Sequence, residues 1–291
     1  MSNNDSASLP LLSDPSTPLD LTPSASPSPC AKGRDPVIQR NAVFGERYLT
    51  DPTQVYNYNA WDQVAPDPDH LASALEKIKF QQDHRLSEKE KKRFLDRPAY
   101  FWDMFYRNNR ENFFKNRNWL TREFPILKEC MEKDAGSRVI LEAGCGVGNA
   151  MFPILKENEN PLLKIHGRDY SPRAIEVLLQ DPQFDSNFAS AGVWDIASDT
   201  LPEGIAEFSV DVTVLCFVLS ALEPRQWSQA VSNLNRLLKP GGMICFRDYG
   251  RYDMTQLRFK KERLLDDNFY IRGDGTRVYF FEDGTRLITQ V

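Results

Sequence analysis

Hydrophobic and polar positions divide the chain into three stretches. Residues 1–35 mix Ser, Pro, Asp and Leu (SASLPLLSDPSTPLDLTPSASPSPC) with no helical or strand period. Such a stretch buries too little apolar surface to offset its ordering entropy, so the pattern predicts a disordered tail. From Val43 to about Phe124 aromatic residues interleave with charge. The spacing there predicts helices over 69–82, over Ser87 to Arg93 where SEKE begins like a capping box, and through YFWDMFYRNN. Apolar runs then alternate with amphipathic stretches. RVILEA (138–143), 164–168, 188–193, VDVTVLCF (210–217) and MICFRD (243–248) read as five strands. EPRQWSQAVSNLNRLLKPGG reads as a helix before the fifth strand, stopped by a basic last turn, a proline and glycine. Strands alternating with helices predict an α/β fold with a mainly parallel, doubly wound sheet, whose ligands bind beyond the carboxyl ends of the strands. The organisation expected is a tail at 1–35, a helical basic-aromatic extension at 36–124 and an α/β domain at 125–291.

Composition narrows the setting. No run of 18 apolar residues exists, which predicts no membrane span. Five cysteines, widely spaced and without a CxxC, together with three histidines supply neither a disulfide framework nor a metal cluster. They point to a reducing, cytoplasmic setting without a metal. The first 31 residues contain three Asp and no basic residue, unlike a transit peptide, and no continuous apolar core, unlike a secretory signal. A net charge of -5 looks adverse for nucleic-acid binding, but phosphates respond to local fields. Between Lys89 and Arg122 ten Lys/Arg stand against four Asp/Glu.

The sharpest local motif is LEAGCGVGN, with Gly144, Gly146 and Gly148 after the first strand. Glycine is required where a backbone turns tightly and passes close to a ligand, and such turns serve NAD, FAD and S-adenosylmethionine (SAM) alike. The dinucleotide form has a further glycine where this chain has Asn149, and an acid before the first glycine, here Glu142, favours SAM. Asp169 closes the second strand, where a carboxylate can accept from both ribose hydroxyls. Asp195 after the third strand is placed for the adenine amino group, Ile196 for the ring, and Cys216 for the pocket wall. Asp211, at the opposite end of the sheet, reads as structural.

With these residues in place, the chain resembles the tRNA (cytosine-N3) methyltransferase family, which makes 3-methylcytidine in the anticodon loop. The matching blocks are WDMFYRNNRENFFKNRNWLTREFP, LEAGCGVGN, DYSPRAIE, VDVTVLCFVLSAL, LKPGGMICFRDYGRYDMTQLRF and NFYIRGDGTRVYFF. FGERYLTDPTQVYNYNAWDQV is similar to the threonine-tRNA subgroup. The resemblance implies a Rossmann-like class I SAM-dependent methyltransferase, methylation at position 32 of tRNA, and Trp102 and Tyr106 covering the cofactor with Gly144, Gly146, Asp169, Asp195, Ile196 and Cys216. It also implies an adaptor protein or aminoacyl-tRNA synthetase as a partner. The family continues after YFF with a helix and two strands that EDGTRLITQV does not match. A domain truncated at its C-terminus is expected on that ground, its fifth strand an open edge or paired only with 276–281.

RNA loops are read by aromatic stacking and charge. Phe105 and Phe113 are expected in the core, and Arg107, Arg110, Lys115 and Arg117 at phosphates. A second basic group comprises Arg247, Arg251, Arg258, Lys260, Lys261, Arg272 and Arg277. Cytosine N3 can attack a sulfonium methyl only when unpaired, and needs no strong base. Because the product is cationic, Asp248 is the expected catalytic carboxylate, with Arg247 and Tyr249 holding base or backbone. The competing readings are a methyltransferase for a small molecule or protein, and an inactive SAM- and tRNA-binding pseudo-enzyme.

Overall fold

The computed structural model describes residues 68–109 and 114–282. The predicted tail, the FGERY block, Arg110 and Phe113 lie outside these residues. Three helices come first: α1 (Pro68–Asp83), α2 (Glu88–Leu95) and α3 (Pro98–Asn109). The capping box before α2 is present, with the Glu90 amide donating to Ser87 Oγ and the Ser87 amide to Glu90 Oε2. Short helices α4 (Leu120–Glu123) and α5 (Pro125–Met131) lead into the sheet. The α/β series is β1 (Arg138–Ala143), α6 (Met151–Glu157), β2 (Leu163–Asp169), α7 (Pro172–Gln180), β3 (Ala189–Val193), β4 (Val210–Cys216), α8 (Trp227–Leu237) and β5 (Leu238–Arg247). It ends with α9 (Met254–Leu257), β6 (Leu264–Asp266), β7 (Phe269–Ile271) and β8 (Arg277–Tyr279).

The main sheet runs β3-β2-β1-β4-β5, every pair parallel. Chain order reverses between β1 and β4, so a crevice opens above the ends of these two strands. β1 is apolar on both faces because helices cover both. Ile140 faces one core with Ile165, Val212 and Met151, while Leu141 faces the other with Leu215, Leu234 and Trp227. Truncating either side chain to alanine would cost about 2–5 kcal/mol, the usual range for a fully buried position.

Two segments depart from the pattern reading. α8 stops at Leu237, and Lys239-Pro240-Gly241-Gly242 belongs to β5 instead of ending the helix. The register slips between Val210 and Val212 opposite this stretch, which lets the strand absorb a proline and two glycines. Lys239 is held there by Asp211, which also accepts from the Val139 amide, so Asp211 ties three elements together at the far end of the sheet. The second departure is RVYFF. β8 pairs antiparallel with β7 in a separate β6-β7-β8 sheet, not with β5. Among the described residues β5 has only β4 as its neighbour, and past its end Gly250 bridges to Phe281.

A buried polar knot joins the first helix to the small sheet. Tyr270 Oη donates to Gln81 Oε1 (2.8 Å), and Gln81 Nε2 donates to the carbonyls of Gln256 and Phe259. Every polar group in the knot is thereby satisfied away from water.

Candidate functional site

The glycine turn begins where β1 ends. The Gly144 and Cys145 amides donate to the Arg168 carbonyl, fastening the turn to β2. Gly144 and Gly146 hold φ of 71° and 53°. A Cβ on Gly144 would stand 2.5 Å from Val218 Cγ2, and one on Gly146 only 2.6 Å from the Tyr106 hydroxyl. Both backbone shape and lack of space therefore demand glycine.

A single cavity joins this turn to the residues expected around a cofactor: Trp102, Tyr106, Gly144, Gly146, Asp169, Asp195, Ile196 and Cys216 all line it. Asp169 is buried, with Oδ2 accepting from the Gly146 amide (2.8 Å) and Oδ1 from the Ser171 amide (2.9 Å). The carboxylate keeps acceptor capacity for a ligand hydroxyl. Burial raises its pKa to about 6 against the Ser171, Gly146 and Tyr170 amides. Glu142 is also buried in the wall, Oε2 has no hydrogen-bond partner, and burial raises its pKa to about 8 although Arg117 opposes the shift. An orphaned carboxylate oxygen and a glycine cradle suit a ligand carrying positive charge and hydroxyl groups. Asp195 Oδ1 accepts from the Ala197 amide, Ile196 is buried, and the Cys216 thiol is pushed up to about 12 by burial.

Trp102 and Tyr106 reach the cavity from α3. They stack with centroids 6.0 Å apart and pack with Phe105, Phe114, Val147 and Ala174. Phe105 is buried, as its helical spacing predicts. Sequence reasoning missed several wall residues, among them Trp194, Phe217 and Val218. Phe217 sits at φ 61°, a conformation costly for a bulky residue. Its ring packs against Tyr249 at 4.7 Å and under the Arg117 guanidinium at 5.0 Å. Backbone strain carries no sequence signature for a phenylalanine.

The expected catalytic and RNA-contacting residues occupy different environments. Tyr249, Arg117, Arg272 and Arg277 line the cavity. Asp248 is adjacent to that lining, its Oδ2 accepting from the Ser220 amide and Oδ1 from the Tyr249 amide, and burial raises its pKa to about 6. Arg247 turns away to Glu123 (3.0 Å) and stacks over Trp119 (4.7 Å). Arg277 is buried, and its guanidinium donates to the Ala221 carbonyl and to Glu223. Arg251 pairs with Glu282. Arg107, Lys115, Arg258, Lys260 and Lys261 are exposed.

Residues 141–244 match a methyltransferase domain model. The tRNA(Thr) (cytosine(32)-N(3))-methyltransferase of Saccharomyces cerevisiae is 52% identical over 242 residues, covering 82% of this chain and 38% of the relative. The tRNA N(3)-methylcytidine methyltransferase of Schizosaccharomyces pombe is 51% identical over 247 residues, 85% of this chain and 80% of the relative. This chain belongs to the tRNA N3-methylcytidine methyltransferase family. The tRNA N(3)-cytidine methyltransferase of Danio rerio is a further member, 41% identical, covering 84% of this chain and 77% of the relative. The chain thus spans little more than a third of its budding-yeast relative and about four fifths of the fission-yeast one. The domain match stops at 244, within β5, whereas the family alignments run over more than 240 residues. Similarity to the family therefore extends well beyond the methyltransferase domain itself.

Proposed function

We propose that this protein is a SAM-dependent tRNA methyltransferase that forms 3-methylcytidine at position 32 of threonine tRNA. The observation that carries the reading is a cavity at the carboxyl ends of β1 and β4, closed by aromatic side chains from a helix outside the methyltransferase domain, in a chain 52% identical to a tRNA(Thr) enzyme. In this reading Asp169 holds the ribose hydroxyls, Asp195 the adenine amino group beside Ile196, and Gly144 and Gly146 the close backbone approach. Glu142 faces the charged amino-acid end, and Cys216, Trp102 and Tyr106 complete the enclosure. SAM supplies an electrophilic methyl group on a sulfonium.

The target cytosine leaves its stack and presents the N3 lone pair, so no residue need remove a proton before attack. Alignment then dominates, and Tyr249 and Phe217 offer ring faces for the base. Asp248 stabilises the positive charge that develops on the ring. Residues 36–124 serve as the tRNA-binding extension of a domain at 125–291. An adaptor protein or a synthetase is the expected partner. The described cysteines, all free, and the lack of a membrane-spanning helix among the described residues accord with a cytoplasmic setting.

Nucleoside mass spectrometry after incubation with SAM and unmodified threonine tRNA tests the reading. The expected product is 3-methylcytidine, lost when the loop cytosine becomes uridine; methylation of another position would overturn it. Asp248→Asn keeps one acceptor for the backbone amides and removes the charge. It is expected to lower kcat roughly 10- to 100-fold with SAM and tRNA affinity unchanged. An unaltered rate would remove Asp248 from the mechanism.

A further inference from the structure

Asp103 belongs to no part of the site as described so far, yet its carboxylate is wired to it. It lies on α3 one residue after Trp102 and one helical turn before Tyr106, so it shares a face with Tyr106. Ser171 Oγ donates its single hydroxyl hydrogen to Asp103 Oδ1 at 2.5 Å and accepts from the Ala174 amide at 3.1 Å. Ser171 is fully buried at the N-terminus of α7, and its own amide donates to Asp169 Oδ1. The other oxygen of Asp169 takes the Gly146 amide, and Gly146 lies directly beneath the Tyr106 hydroxyl. The chain of contacts closes on itself: Asp103, Ser171, Asp169, Gly146, Tyr106 and back along α3.

We propose that Asp103 is a positioning residue that latches α3 onto α7 through Ser171, so that Trp102 and Tyr106 close over the cofactor while Asp169 is held for the ribose. The inference rests on the SAM reading of the cavity. Two features give a directional contact something to add. α3 belongs to the segment before the methyltransferase match, so nothing in the sheet's own hydrogen bonding fixes its angle. Its apolar contacts include Phe105 and Tyr106 against Val147 and Ala174 and Phe101 against Gly275, and such contacts are non-directional. A charge-assisted hydrogen bond from a buried hydroxyl supplies the direction that these contacts lack. Loss of the latch should weaken cofactor capture without slowing transfer once the site is filled, because Asp103 reaches no reacting atom.

The test is steady-state kinetics with tRNA saturating, alongside calorimetric SAM binding, on the full chain. Asp103→Ala should raise KM and Kd for SAM on the order of tenfold, the worth of one charge-assisted bond, with kcat at saturating SAM changed less than about twofold. Asp103→Asn retains an oxygen that accepts from Ser171 and should restore most of the affinity. Asp103→Ala combined with Ser171→Ala should be no worse for SAM than Ser171→Ala alone, since both break one contact. Should Asp103→Ala fail to fold, Asp103→Glu, longer by one methylene, takes its place with the same expectation for KM. Unchanged SAM affinity in Asp103→Ala, no rescue by Asn, or additive losses in the double variant would each overturn the latch. Failure of the unaltered protein to bind SAM would overturn the cofactor reading, and the latch with it.

Discussion

At the scale of single residues the cavity sets charge against burial, and Glu142 is where that tension is greatest. Its pKa of about 8 stands above the ordinary value of 4.5 because burial penalises the carboxylate more than Arg117 favours it. The folded protein therefore retains a proton that the unfolded chain releases. Stability is fully present below about pH 4.5 and is lost as pH rises through about 8. Asp169 and Asp248, both raised to about 6, act in the same direction over a lower window. Glu142→Gln should flatten the upper part of this dependence. It should stabilise the ligand-free protein by about 1–4 kcal/mol at pH 8.5 relative to pH 5, read by urea unfolding. The same variant should bind SAM more weakly, having lost the only buried carboxylate oxygen among the described residues left without a hydrogen-bond partner. Identical pH slopes in the two proteins would show that Glu142 is ionised in the ligand-free fold.

At the scale of elements, what was legible followed a period and what was missed did not. The five strands, the capped α2 and the placement of Asp169, Asp195 and Cys216 came from alternation and from the position of each residue at a strand end. Lys239 to Gly242 deceived because proline and glycine stop a helix and can equally mark an irregular strand entry; the register slip opposite them decides, and it is a tertiary event. The burial of Arg277, a residue expected at phosphates, had no signal, because a basic residue in a sequence carries no sign of its depth. Gln81 gave no signal at all, being one polar residue on an ordinary helix. It nevertheless carries the knot that joins α1 to α9 and β7. Gln81→Ala leaves Tyr270 Oη and two carbonyls short of partners, so it should cost about 1–3 kcal/mol. Gln81→Glu should cost as much or more, because a carboxylate cannot donate to the carbonyls. Limited proteolysis between α1 and α2 would report the loosening, and unchanged cleavage and melting would mean that water replaces the side chain.

At the scale of the whole molecule, the proposed function asks an acidic protein to hold a polyanion with charges it places locally. On the proposed function, the net charge of -5 would repel tRNA at a distance, while the exposed Arg107, Lys115, Arg258, Lys260 and Lys261 would attract it close by. Arg251 and Arg277, paired with Glu282 and Glu223, offer phosphates much less. Binding should therefore weaken steeply with salt, each phosphate contact contributing roughly 0.7–0.9 to the slope of log K against log salt. Removing Lys260 or Lys261 by alanine substitution should lower that slope by about one contact each and leave SAM binding intact. Arg277→Met should lower the melting temperature, since it strands the Ala221 carbonyl and half-strips Glu223, yet leave the slope unchanged. A slope that falls equally for Arg277 and Lys260 would place the RNA path across the cavity mouth. A slope that falls for neither would move the phosphate contacts to α3 and the segment after it, where Arg107 and Lys115 become the variants to make.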